Sequence, residues 1–196
     1  MNFDDLIVER PPTAGAPTDE PDRHFYEGAV MLAYTMHLFR TEPVQEVKIH
    51  PDGQHATQFD FPGWLAKRGF ERVEHGPTTF GGTYRSADGR RVIVRSQPGI
   101  GDVVADANGL RIEAECKGGA IGTRHRGRLS RLDKGLCEII GRLMSKPSPG
   151  RQVAVVPKTK VTVRLAQKLA PRCAAAGICI ALIGDRGEVE DVATQD

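Results

Sequence analysis

Long apolar runs are missing from this chain. None approaches the ~18 consecutive apolar residues that a membrane-spanning helix requires. The acidic first nine residues lack the basic start and apolar core of a secretory signal, so a cytoplasmic protein with no membrane partner is expected. The four cysteines, Cys116, Cys137, Cys173 and Cys179, form neither a CxxC pair nor a disulfide-like cluster, and their apolar neighbours point to buried free thiols. The six histidines are scattered; His50 and His55 flank Pro51-Asp52-Gly53-Gln54, a turn sequence rather than a zinc site. No internal repeat is present, and no helix-turn-helix or zinc-finger pattern offers base readout. The segment GGAIG at 118–122 lacks the lysine and hydroxyl that would follow in a phosphate-binding P-loop. Net charge is +2, too small to imply a partner by itself.

What is present is an ordinary soluble composition, 39% hydrophobic and 27% charged over 196 residues. That length suits one domain with or without an extension and is enough to bury a core. Residues 11–22 (PPTAGAPTDEPD) show no periodicity and read as part of a disordered leader over 1–22. Residues 23–196 are then expected to form a single α/β domain with its core at about 90–185. Asp22 is a candidate cap for a helix running to about Arg40, with Phe25, Ala29, Leu32, Met36 and Phe39 on its buried face. A short strand at 44–49 and a short helix at 62–68, stopped by Gly69, come next. Segments 70–74, 80–86 and 90–96 read as strands, with Asp88-Gly89 turning between the last two. A second hairpin (102–107 and 110–117), a glycine-rich loop at 118–122 and a helix at 124–144 follow. The chain closes with an apolar strand at 152–157, a helix at 161–176 interrupted by Pro171, and an apolar strand at 178–184. Short continuous apolar strands separated by a helix are expected of buried parallel strands. The expected fold class is therefore α/β, with a mixed β-sheet flanked by helices.

The second hairpin carries the chemistry. Asn108-Gly109 between two alternating runs is a strong turn signal, because both turn residues need positive φ. A two-residue loop there puts Ala107 opposite Leu110, Asp106 opposite Arg111 and, counting outward, Asp102 opposite Glu115. Leu110, Ile112, Ala114 and Cys116 share one face with Val103 and Ala105, while Arg111, Glu113, Glu115 and Lys117 share the other with Asp102 and Asp106. A slip of one residue would turn every side chain of one strand to the wrong face. Two carboxylates about 5 Å apart at Cβ repel by up to ~1 kcal/mol. Lys117, a diagonal neighbour, offsets part of that, and a divalent cation such as Mg²⁺ or Mn²⁺, which prefers hard oxygen ligands, would offset more.

Gly101-Asp102 at a strand start, followed by Glu115-Cys116-Lys117 at the end of the next strand, resembles the PD-(D/E)xK nuclease superfamily. The helix, strand, helix, strand order that follows is similar to the restriction-endonuclease-like fold of that family, and the likeness covers roughly residues 90–185. Gly101 stands where the family usually has proline. The resemblance implies that Asp102 and Glu115, with the Cys116 carbonyl, hold Mg²⁺ (or Mn²⁺), which activates a water and neutralises charge on a phosphate. It implies that Lys117 positions that water or stabilises the pentacovalent state. The activity implied is a metal-dependent endonuclease hydrolysing phosphodiester bonds of DNA, with RNA left open. Glu27 is a candidate for the family's additional helix acid; its other reading is a first-turn acid that favours the helix dipole.

Downstream of Lys117 the residues Arg124, His125, Arg126, Arg128, Arg131 and Lys134 are opposed by the single acid Asp133. Arg124, Arg128 and Arg131 fall on one helix face, separate from the stripe of Leu129, Leu132, Leu136 and Leu143. Such a patch is either a phosphate-backbone contact or a solvated helix face. An alternative function is a non-cleaving nucleic-acid-binding subunit with the same fold; a third is a structural domain whose polar hairpin face is merely solvated. Double-strand cleavage would favour a homodimer, and a place in a larger complex is equally open.

Overall fold

Asn108 and Gly109 sit at φ of 54° and 87°, the left-handed pair that a tight hairpin of this twist demands. They join β7 (Val103–Ala107) to β8 (Leu110–Cys116) in the expected register, from Ala107 opposite Leu110 out to Val103 opposite Ala114. Gly109 N donates to Asp106 Oδ1 at 2.7 Å, clasping the turn. The computed structural model describes residues 4–10, 22–51, 58–96, 101–122, 126–146 and 150–193.

The hairpin is the middle of a mixed sheet. On one side β8 pairs in parallel with β10 (Arg151–Pro157), β10 in parallel with β11 (Ile178–Ile183), and β11 antiparallel with β12 (Val189–Asp191). On the other side β7 pairs antiparallel with β3 (Glu46–Ile49), β3 in parallel with β6 (Arg91–Val94), and β6 with the antiparallel strands β5 (Gly82–Ser86) and β4 (Phe70–His75). Four helices accompany it: α1 (Glu27–Thr41), α2 (Phe61–Ala66), α3 (Arg126–Ser145) and α4 (Lys160–Ala175).

Both faces of the β10–β11 region are covered, which is why these strands are continuously apolar. Val153, Val155, Ala181 and Ile183 join the core that contains α1, whereas Ala154, Val156, Ile180 and Leu182 join a second core under α3 and α4. The period of two along each strand assigns alternate residues to opposite cores. Thr159 caps α4 by accepting from Thr162 N, and Thr162 Oγ1 accepts from Thr159 N in return. Pro171 lies within α4 rather than ending it. The architecture is mixed α/β, a large mixed sheet flanked by helices, and no described helix is long and apolar enough to cross a membrane.

Several expectations are corrected. Asp22 does not cap a helix: β2 (Asp22–Phe25) is a strand, and α1 begins only at Glu27. The glycine-rich segment is not a loop, because β9 (Gly119–Gly122) pairs with β2, which in turn pairs with β1 (Ile7–Arg10). Both errors have one cause, a non-local pairing that no local propensity reveals. Residues 4–10 and Asp22 thus belong to the folded body, with Leu6 fully buried; residues 11–21 of the expected leader lie outside the described residues, as do His55 and most of its turn. All four cysteines are free, but Cys137 and Cys179 are exposed, so only Cys116 and Cys173 fit the buried reading. Cys137 lies on the solvent side of α3 despite its apolar neighbours in sequence.

Candidate active site

Asp102 immediately precedes β7. Its carbonyl accepts from His50 N at 2.8 Å, continuing the β3–β7 ladder, and its side-chain Oδ2 accepts from Cys116 N at 2.7 Å. The carboxyl is thereby folded across the open end of the β7–β8 ladder, beside Glu115, which lies opposite Asp102 one step beyond the Val103–Ala114 pair. Burial and the Glu115 charge push the Asp102 carboxyl up to about 7; the Cys116 N–H offsets part of this, and Glu27 adds to it. Burial also raises Glu115, against the opposing pull of Arg142 and Lys146. Burial drives the Cys116 thiol far up as well, with the charges of Asp102, Glu27 and Glu115 adding to the effect.

Glu27 reaches the same place by a different route. β2 runs straight into α1, and its pairing with β9 docks the head of α1 against the end of β8. Gly118 makes this approach possible: a Cβ there would lie 2.5 Å from both Glu27 N and Phe25 O, so only glycine fits. Glu27 is almost fully buried, and its Oε2 lies 3.4 Å from Lys117 Nζ. Lys117 is held at both ends. Its backbone N donates to Val155 O at 2.9 Å, and its stem lies against α3 where Gly135 leaves room, a Cβ at that position falling 2.8 Å from Lys117 Cγ.

Glu115, on the face toward the second core, meets Arg142 of α3 with Nη1 and Oε2 3.6 Å apart. Arg142 also hydrogen-bonds Glu138 one turn earlier. Three carboxylates therefore share the end of the hairpin with Lys117 and Arg142, Lys146 acts on Glu115 as well, and Asp102 has no ion-pair partner among the described residues. The acids influence one another electrostatically, but no three of them converge into a formed metal cage among the described residues.

Asp102, Glu115, Cys116 and Lys117 lie at one end of the hairpin, and Glu27 comes to the same end from α1. The Lys117 amine is directed to Glu27. Arg131 is exposed on α3. Arg124 and the Arg128 side chain lie outside the described residues, although Arg128 itself is on α3. Arg142 went unnoticed in the sequence, yet it is about three turns from Arg131 and so falls on the same helix face. The signal for Glu27 was an acid heading a helix that is apolar on nearly every side, which forces its head inward. His50 is a further neighbour: buried, Nδ1 2.6 Å from Arg95 O, its Nε2 without a hydrogen-bond partner among the described residues.

Comparison with protein-family models, with curated proteins and with solved structures finds no match in any of the three.

Proposed function

We propose that this chain is a metal-dependent endonuclease of the PD-(D/E)xK type, with a restriction-endonuclease-like fold, acting on phosphodiester bonds of DNA. One observation carries the reading: the hairpin sets Asp102 beside Glu115, and the head of a distant helix brings Glu27, with Lys117 paired to it, within electrostatic reach of both. A purely structural site would gain nothing from gathering more buried acid than base, since unpaired buried charge is costly.

The donor set fits Mg²⁺ or Mn²⁺. The acids offer hard oxygen atoms, and Asp102, pushed up to about 7 without a cationic partner among the described residues, is the group a cation would relieve. Asp102 and Glu115 would hold the cation, with the Cys116 carbonyl as the resemblance implies, and Glu27 is available as a further oxygen donor. When bound, such a cation supplies Lewis acidity toward water and phosphate. The chain's own residues do the remainder. The Cys116 N–H orients the Asp102 carboxyl; Glu27 and Gly135 fix the Lys117 amine; and that amine stabilises negative charge developing on the phosphate. Arg131, exposed on α3, would bind a backbone phosphate.

The test is incubation of the purified protein with supercoiled plasmid and Mg²⁺ or Mn²⁺, alongside Asp102→Ala and Lys117→Ala. Cutting that vanishes in both variants is the expected result. The second reading, a non-cleaving nucleic-acid-binding subunit, draws on the engagement of Lys117 and Glu115 with other partners. Retardation of the plasmid without any cutting would favour it.

A further inference from the structure

Arg142 stands between two carboxylates. Nη1 lies 3.6 Å from Glu115 Oε2, and Nη2 is hydrogen-bonded to Glu138 Oε1. The Glu115 side chain is 12% exposed and that of Arg142 49%, so the guanidinium lies on the solvent side of Glu115. Two carboxylate contacts do not exhaust its five donors. A cation bound through Glu115 would need the same oxygen atoms that Arg142 now faces and would repel the guanidinium as well. An ion pair this exposed is weak enough to exchange, and a long, half-solvated side chain has somewhere to go.

Where it goes is set by α3. Arg131, Gly135 and Arg142 lie on one helix face, and Gly135 carries the stem of Lys117. Arg131 and Arg142 are about 16 Å apart along the helix, a span of about five phosphates on one strand of B-DNA, and the Lys117 stem meets the helix between them.

We propose that Arg142 is an exchangeable counter-ion: it neutralises Glu115 while no divalent cation is bound and, once displaced by the cation, becomes a contact to the phosphodiester backbone of the substrate. This rests on the nuclease reading and adds to it a coupling between cation loading and nucleic-acid affinity. The same arginine opposes the cation and assists the substrate, so its removal shifts the two affinities in opposite directions. An arginine with a purely structural role would not do this.

The experiment is a calorimetric Mn²⁺ titration of the intact chain, with duplex binding measured in a Lys117→Ala background so that strands stay uncut. Arg142→Gln should bind Mn²⁺ about two- to fivefold more tightly, the range of an exposed ion pair. Arg142→Lys should stay near the parent. Glu138→Gln, which removes the competing anchor, should weaken Mn²⁺. In the duplex assay Arg142→Gln should lose affinity when Mn²⁺ is present and little when it is absent, with a salt slope lower by about one. Equal or weaker Mn²⁺ binding by Arg142→Gln, or a duplex loss indifferent to Mn²⁺, overturns the proposal while leaving the nuclease reading standing. A parent protein showing no Mn²⁺ uptake that depends on Asp102 overturns both. Arg142→Lys should melt like the parent, whereas Arg142→Gln, which leaves the nearly buried Glu115 without its guanidinium, should melt slightly lower until Mn²⁺ is added.

Discussion

Lys117 Nζ reaches across from the end of β8 to Glu27 Oε2, 3.4 Å away at the head of α1. The pair is unequal: Glu27 is almost sealed from water, whereas Lys117 is partly exposed. Removing the amine should therefore cost both activity and stability. Lys117→Ala is expected to reduce cutting by about 100-fold or more, and to destabilise the fold by about 1–3 kcal/mol through the carboxylate left behind. Glu27→Gln combined with Lys117→Ala should recover most of that stability and none of the cutting. Thermal melts of the four proteins in the cycle decide the matter; equal melts for the single Lys117 variant and the double variant would show that Glu27 does not depend on the amine.

Asp102 predicts an unusual dependence on pH. Its carboxyl ordinarily releases its proton near 3.8, and in the fold that value is raised to about 7 by burial and the Glu115 charge. Between those limits the folded protein holds a proton that the unfolded chain has lost, so stability falls as pH rises through the window. Asp102→Asn should flatten that fall. Cation loading must displace the same proton, so Mn²⁺ affinity should climb toward pH 7 in the parent protein. Stability curves and Mn²⁺ titrations across this range provide the check; a parent curve no steeper than that of Asp102→Asn would refute the assignment.

Two glycines separate folding from chemistry. Gly118→Ala would drive a Cβ into the backbone of Phe25 and Glu27, and a destabilisation of about 1–3 kcal/mol is expected from such overpacking. Gly135→Ala meets a side chain instead, at Lys117 Cγ. There a gain in helix propensity of up to about 1 kcal/mol offsets the crowding. Stability should stay near that of the parent protein while cutting falls, because the amine is moved off its station. Denaturant midpoints read beside cutting rates separate the two cases.

Arg128→Ala and Arg131→Ala should weaken binding to unrelated duplexes alike, and each should lower the salt slope by about one. An unchanged slope in both would remove this end of α3 from the phosphate path.

How much of this was legible beforehand followed the distance along the chain between the partners. Asn108-Gly109 specified its own turn, and the turn specified the register that sets Asp102 beside Glu115. That reading required nothing beyond the hairpin itself. The buried strands β10 and β11 were equally plain, since a strand covered on both faces must be apolar throughout. Glu27 has two readings in the sequence, a further site acid and a first-turn acid favouring the helix dipole. What settles its position is the pairing of His24 and Phe25 with Ala120 and Gly119, and a strand of glycine and alanine carries almost none of the alternation that marks a strand. Arg142 was hidden for a related reason. Its partner Glu115 belongs to another element, and helix periodicity reveals which residues share a face but not what that face meets.

The pairing of β8 with β10 has a consequence for how the protein is made. The hairpin can close as soon as its residues leave the ribosome, and Glu27 has already emerged by then. Yet Lys117 is anchored on Val155, and β8 gains its second neighbour only when β10 has been synthesised. A nascent or truncated chain ending before β10 would hold the acids and the amine without the arrangement that relates them. On the nuclease reading such a chain should be inert toward nucleic acid cleavage, because the residues of the proposed centre are brought together only once β10 is in place.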